Sequence, residues 1–227
     1  LIGSLSSDHE GIINFTTRDI VANGEEVETA DFTSRIAGLL AGLSLTRSAT
    51  YVVLDEVEDV ERLSKDEYDA KIENGEFVLI HDGEKVKVGR GVNSLTTVEL
   101  PKTEDFKKIL IVDKMHMWKE DIKMTIADGY VGRFANTYDN KCLLITDIRL
   151  YNKRLARQGI LDNSSDEYNQ VDIDIENQSD YLESLGIDIE SMSEDEIKKA
   201  NTGSKVFIRS NLKFTDAMED FYISVTI

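Results

Sequence analysis

Three histidines, His9, His81 and His116, and one cysteine, Cys142, are the side chains with which this chain would most readily hold a transition metal or attack a substrate. Their spacing supports neither role. No two histidines stand in HxH or HxxxH register, and one thiol cannot build a thiolate zinc site. Cys142 lies among apolar residues at helical spacing, which predicts a core position. As the single cysteine it excludes an intrachain disulfide and fits a reducing compartment. Asp172, Asp174 and Glu176 alternate, so on a strand they share a face that would suit a hard cation. The run lacks the Gly and downstream Glu of an EF-hand loop, and a solvated sheet edge is by far the commoner reading. GRGVNSL carries two glycines near a strand end but matches neither GxGxxG nor GxxxxGK[ST], and reads as a turn. No serine sits in a GxSxG elbow. His116 and Trp118, inside MHMW, fall in a helical pattern where a Met and aromatic stripe reads as core rather than as a ligand pocket. The residues therefore predict no catalytic group, no metal and no cofactor.

Composition narrows the class further. The 227 residues carry 26 Lys and Arg against 44 Asp and Glu, a net charge of −18 that repels phosphate backbones and anionic lipid. Nucleic-acid binding and membrane anchoring are not expected. Apolar stretches of only a few residues are far short of the roughly 18 to 20 needed for a membrane span. With 41% hydrophobic residues the chain should bury a core, and its length suits two domains. LIGSLSSDHEG has no basic region followed by an apolar one, so it does not read as a signal peptide, and the missing initiating Met predicts that a natural N-terminal portion is absent.

The elements follow from periodicity. In DFTSRIAGLLAGL, Phe32, Ile36, Leu39, Leu40 and Leu43 line one helical face, while Ala37, Gly38, Ala41 and Gly42 form a small-residue face. Two mid-helix glycines, each costing about 1 kcal/mol against Ala, predict a closely packed neighbour. ATYVVLDEV reads as a strand, Ser64 with Glu67 as a capping box opening a helix closed at Gly75, and FVLI with KVKV as a hairpin turning through Asp82-Gly83. A strand is predicted at Lys107 to Val112, a helix from Lys114 to Asp128, and a longer helix from Tyr138 to Gln158 with Leu144, Ile148, Tyr151 and Leu155 inward. Next come the strand VDIDI, two short capped helices, and two C-terminal strands. In the last, Phe221, Ile223, Val225 and Ile227 point to one side and Tyr222, Ser224 and Thr226 to the other.

Charge is unevenly placed. Residues 106–157 hold 11 basic and 6 acidic residues, whereas residues 158–201 hold 2 and 13. Lys141, Arg149, Lys153, Arg154 and Arg157 make a basic stripe along the long helix. It is readable as cations near the negative end of a helix dipole, or as a docking face for an acidic partner.

Four segments in order carry a family resemblance: DFTSRIAGLLAGLSLTRSATY (Asp31 to Tyr51), GEFVLIHDGEKVKVGRGVNSLTT (Gly75 to Thr97), YVGRFANTYDNK (Tyr130 to Lys141) and GSKVFIRSNLKFTDAMEDFYISVTI (Gly203 to Ile227). In them the chain resembles the contractile tail sheath proteins of myophages and phage-tail-like bacteriocins, and looks like the C-terminal part of such a subunit. The resemblance implies an α/β (α+β) tail-sheath fold. Residues 1–97 would be part of a middle domain of subtilisin-like topology without its proteolytic triad. Residues 98–227 would be a C-terminal mixed α+β domain packed innermost. It implies a structural subunit, not an enzyme, with no cofactor. The subunit would form stacked hexameric rings around the tail tube and contract to drive the tube through a target envelope. The alternative is a low-copy tail or baseplate-associated binding module. Implied partners are further copies of itself, the tail tube protein, the baseplate and the tail terminator. The implied location is the virion or bacteriocin tail, assembled in the bacterial cytoplasm. Neighbouring subunits in this family are laced by exchange of terminal strands, which assigns Phe221, Tyr222, Ile223, Ser224, Val225, Thr226 and Ile227 to that exchange. The other reading of this segment is a strand of an ordinary intramolecular sheet. Within the same resemblance, the basic stripe is the tube-facing candidate.

Overall fold

The computed structural model describes residues 7–226, so Ile227 lies outside the described residues. The chain forms two compact units, the first running to Met115 and taking back the C-terminal segment from Asp216, the second being His116–Thr215. Both mix helices with short strands, as the sequence predicts.

In the first unit the order is β1 (Asn14–Phe15), β2 (Ile20–Ala22), β3 (Glu25–Val27), α1 (Thr29–Ala41), β4 (Val57–Asp59), α2 (Lys65–Glu73), β5 (Glu76–Phe77), β6 (Leu79–His81), β7 (Val86–Val88) and the start of α3 (Ile109–Gly129). β2 pairs antiparallel with β3 and β4, β1 pairs parallel with β5, and β6 and β7 make the predicted hairpin, with Gly83 at φ 106° in its turn. Phe32, Ile36 and Leu39 of α1 are buried with Phe15, Ile20, Phe77, Leu79 and Val88 in one core. Phe15 stands between the rings of Phe32 at 6.2 Å and Phe77 at 6.4 Å, within the range of favourable aromatic pairs. The opposite face of α1 is exposed, and a Cβ on Gly38 would meet nothing within 4 Å. The close neighbour that its glycines predict is therefore absent among the described residues.

The capping box of α2 is present, with Glu67 N donating to Ser64 Oγ at 3.3 Å and Ser64 N to Glu67 Oε2 at 2.8 Å. Gly75 follows at φ 70°, where a Cβ would lie 2.9 Å from the Ser94 backbone. Only glycine satisfies both the left-handed turn and that approach. The approach seats GRGVNSL inside the fold: Asn93 and Ser94 are 1% exposed, and Asn93 Nδ2 donates to the Phe106 carbonyl at 2.8 Å.

Two strand expectations change. ATYVVLDEV is not one strand: Tyr51 takes φ 60°, residues 51–54 exchange hydrogen bonds with Val86 and Val88, and regular pairing begins only at Val57. The predicted strand from Lys107 to Val112 is instead the end of a 3-10 turn at Lys107, an extended Lys108 and the opening of α3 from Ile109. Ile109, Leu110, Ile111 and Val112 are all buried, and a helix turn apolar on every side has no periodicity to tell it from a buried strand.

The second unit continues α3 and adds α4 (Tyr138–Arg157), β8 (Gln170–Ile173), α5 (Ile175–Ser184), α6 (Glu194–Lys199) and β9 (Ile208–Asn211). Thr137 caps α4 by accepting from Asn140 N at 3.3 Å. Leu144, Ile145 and Ile148 of α4 bury against Val171 and Ile173 of β8, with Trp118, Ile122 and Ile126 of α3 packed on them. Trp118 is half-buried and packs on that core, its Nε1 donating at 2.8 Å to Oδ1 of the buried Asn152. His116 is exposed and Cys142 only half-buried, so neither is the core residue that its pattern predicts. Tyr151 is likewise half-buried, its hydroxyl bonded to Asp121. β8 and β9 form a two-stranded antiparallel ladder from Gln170↔Asn211 to Ile173↔Ile208.

Candidate functional site

The acidic alternation dissolves into separate jobs. Asp172 pairs with Lys198 at 3.2 Å, Asp174 caps α5 by accepting from Asn177 N at 3.1 Å, and Glu176 lies 3.5 Å from Arg209. The strand ends at Ile173, so the three do not share a face. Among the described residues no group of three His, Cys, Asp or Glu is placed to hold a metal ion, and no helix is long and apolar enough to cross a membrane. His9 and His81 each accept a backbone N–H through Nδ1, from Gly11 and Gly83, both at 2.9 Å.

The basic stripe is only in part a surface. Lys141 is 4% exposed and donates to Gln178 Oε1 and Thr202 Oγ1, both at 3.3 Å. Burial lowers its pKa from the usual lysine value of 10.5. Arg149 turns its guanidinium onto the Val171 carbonyl of β8, Nε at 2.9 Å and Nη2 at 2.5 Å. Lys153, Arg154 and Arg157 are exposed, with Arg154 5.0 Å from the Tyr151 ring centroid. Helical spacing places five cations along one helix. Of the five only Lys141 is buried, against Gln178 of α5 and Thr202, and spacing alone does not encode that.

The buried lysine has a measurable signature. Because its folded pKa lies below 10.5, the unfolded chain binds more protons in the window between the two values. Stability then rises with pH up to about 10.5, and the contribution is lost as pH falls through the folded value. Lys114, 1% exposed, is lowered by burial in the same way, so Lys141→Met should show a smaller rise than the parent, not none, when denaturant midpoints are compared from neutral pH upward. Tyr130, raised to about 12 chiefly by burial, acts in the opposite direction but only once the unfolded phenol begins to ionise.

The C-terminal segment is the least enclosed part of the first unit. Phe221 is 71% exposed, Tyr222 96%, Ile223 83% and Val225 78%. Residues 221–226 form no strand and join no sheet among the described residues, so the reading as an ordinary intramolecular strand is not what the structure shows. The residues before them are held. Glu219 Oε1 accepts from Ser48 Oγ and Thr50 Oγ1, both at 2.6 Å. Asp220 makes a forked pair with Arg90, at 3.1 Å to Nη1 and 2.6 Å to Nη2, and Asp216 pairs with Lys108. Arg90 holds the Asp220 carboxyl below the usual carboxylate range. Sequence reading missed Ser48, Thr50, Arg90 and Lys108, which lie 108 to 171 residues from their partners. A separation of that size leaves no periodic signal.

This arrangement has no reaction chemistry, but an exposed alternating segment on an anchored root can pair with another chain. Comparison with known proteins gives the family. Residues 3–94 match the phage tail sheath protein central domain and residues 101–227 the phage tail sheath C-terminal domain. A tail sheath protein of Clostridium phage phiCD119 is 42% identical over 225 residues, which cover 99% of this chain and 62% of that relative. The chain thus spans less than two thirds of that relative's length. The sheath tail protein Lin1278 of Listeria innocua superposes with TM-score 0.65 at 26% identity, over 75% of this chain and 41% of the other. The helical sheath of the anti-feeding prophage in its contracted state superposes with TM-score 0.69 at 19% identity, over 100% and 59%, a likeness of fold. Both halves of the chain thus match sheath models along nearly its whole length, and it belongs to the phage tail sheath family, whose members are structural proteins and not enzymes.

Proposed function

We propose that this chain is part of a contractile tail sheath subunit, which with further copies forms stacked hexameric rings around a tail tube and contracts to drive the tube through a target cell envelope. Residues 1–97 are then part of the middle domain, and residues 98–227 the C-terminal domain with the exchange segment. One observation carries this reading beyond family membership: the exposed segment 221–226, alternating and without a sheet of its own. A strand left in that state offers backbone donors and acceptors to a neighbour's open edge. The outer edge of β9 is unpaired among the described residues and is the acceptor we favour. Such links keep subunits joined while their rigid parts repack, and require no nucleotide.

The test is negative-stain electron microscopy of two samples, the 227-residue chain and the same chain extended to the full length of its longer sheath relatives. Hollow tubes or stacked rings from the extended chain, with small particles from the shorter one, support the sheath reading. A low, fixed copy number per particle by gel densitometry would favour a baseplate-associated binding module.

With Lys141 buried and Arg149 engaged, the tube-facing candidates reduce to Lys153, Arg154 and Arg157. Reversing Lys153 and Arg157 to Glu should leave sheath self-assembly intact and abolish co-sedimentation with tube. Exposed pairs are each worth about 1 kcal/mol or less, so only their sum holds such a joint, and raised salt should weaken it in parallel.

A further inference from the structure

We infer that Ser48, Thr50, Arg90 and Lys108 are positioning residues for assembly: they clasp Asp216, Glu219 and Asp220, so that the arm from Phe221 onward leaves the first unit from a fixed root, oriented for a second copy. The inference rests on the strand-exchange reading above.

Three carboxylates within five residues engage three separate parts of the chain. The Glu219 side chain is only 10% exposed; besides its two hydroxyl donors it has Arg90 Nη2 at 3.4 Å. Arg90 therefore bridges Glu219 and Asp220 and stops the root from turning about either one. Thr50 Oγ1 is itself fixed, accepting Gly91 N at 3.0 Å beside Arg90, so hydroxyl and guanidinium are held in mutual register. Gly91 can carry no larger side chain without crowding this point, since a Cβ there would lie 3.1 Å from Ser48 Oγ. Beyond Asp220 the side-chain anchors stop: side chains are exposed and no sheet receives the backbone among the described residues. A clasp that ends one residue before an apolar alternation serves to aim it. An unanchored tail would be correctly placed for only a fraction of the time, and its apparent affinity for a neighbour would fall by that fraction.

The first readout needs no assembly. Met218 is 87% exposed and outside the clasp, so a nitroxide on Met218→Cys, in a Cys142→Ser background, reports the root alone. Its spectrum should be restricted in the parent chain and should shift to fast motion in Arg90→Ala and in Asp220→Asn. Asp220 is more than half exposed, so its variant leaves the core intact, as an unchanged denaturant midpoint would confirm. In the extended chain each variant should cut assembled tube by about tenfold if the freed root is aligned about a tenth of the time. Arg90→Lys, which keeps a cation beside both Glu219 and Asp220, should retain more of both readouts than Arg90→Ala. Identical nitroxide spectra in parent and variants overturn the inference. So does a freed root that assembles as well as the parent. If deletion of residues 221–227 also leaves assembly normal, strand exchange itself falls; if only the clasp variants assemble normally, exchange stands and the clasp alone is refuted.

Discussion

Deleting residues 221–227 from the extended chain is expected to abolish tube formation while leaving the far-ultraviolet circular dichroism of the monomer unchanged. The spectrum should hold because residues 221–226 contribute no helix or strand to it. Assembly should fail because of what those residues keep in water. Phe221, Ile223 and Val225 are each more than two-thirds exposed, and burying such a side chain is worth about 1.5–3 kcal/mol. Three of them on one face of an added strand amount to roughly 5–9 kcal/mol per contact before the cost of ordering the arm, with each backbone hydrogen bond adding about 0.5–1.5 kcal/mol net. Every 1.4 kcal/mol is about tenfold in affinity, so losing the arm moves each link by orders of magnitude. Tubes that form normally without these residues would remove the exchange reading. Tyr222→Ala, on the other face of the same segment, should leave the stability of the isolated chain within about 0.5 kcal/mol.

The largest effect on stability is expected at Phe77→Ala. Phe77 is 0% exposed, its backbone carbonyl accepts Thr16 N at 3.3 Å, and its ring lies 6.4 Å from that of Phe15. Truncating a buried Phe removes the transfer energy of the ring and leaves a cavity, together about 3–5 kcal/mol. That is a large share of the roughly 5–15 kcal/mol by which domains are usually stable. Partial collapse is hindered here, because neighbouring Val78 and Leu79 are also 0% exposed and the backbone on both sides is tied into β5 and β6. A loss of unfolding free energy below about 1 kcal/mol, from denaturant titration of the variant, would show that the site relaxes around the loss.

Much of this molecule is legible in its residues. The helix α1 follows from Phe32, Ile36 and Leu39, α2 from its capping box, the β6–β7 hairpin from Asp82-Gly83, and α4 from its apolar face. All of these are set by interactions within about four residues, or by one short turn, and such interactions leave periodic or positional marks. The four ordered segments were enough to place the family.

The functional surface is a different matter. A strand is a strand only when a partner completes its ladder, and the alternation of residues 221–226 specifies a preference for pairing without saying with what. Only the tertiary structure leaves the segment exposed and unpaired. Likewise, the sequence states that Lys141 and Arg149 are cations on one helix, but burial removes the first from the surface, while the second stays exposed with its guanidinium on a β8 carbonyl. The clasp is the clearest case: Ser48, Thr50, Arg90 and Lys108 meet three carboxylates more than a hundred residues away. Local physics, acting over one or two turns of chain, determines the elements and is written in the sequence by itself. Charge placement and the fate of the last strand depend on which distant segments come to lie beside them, and only folding decides that.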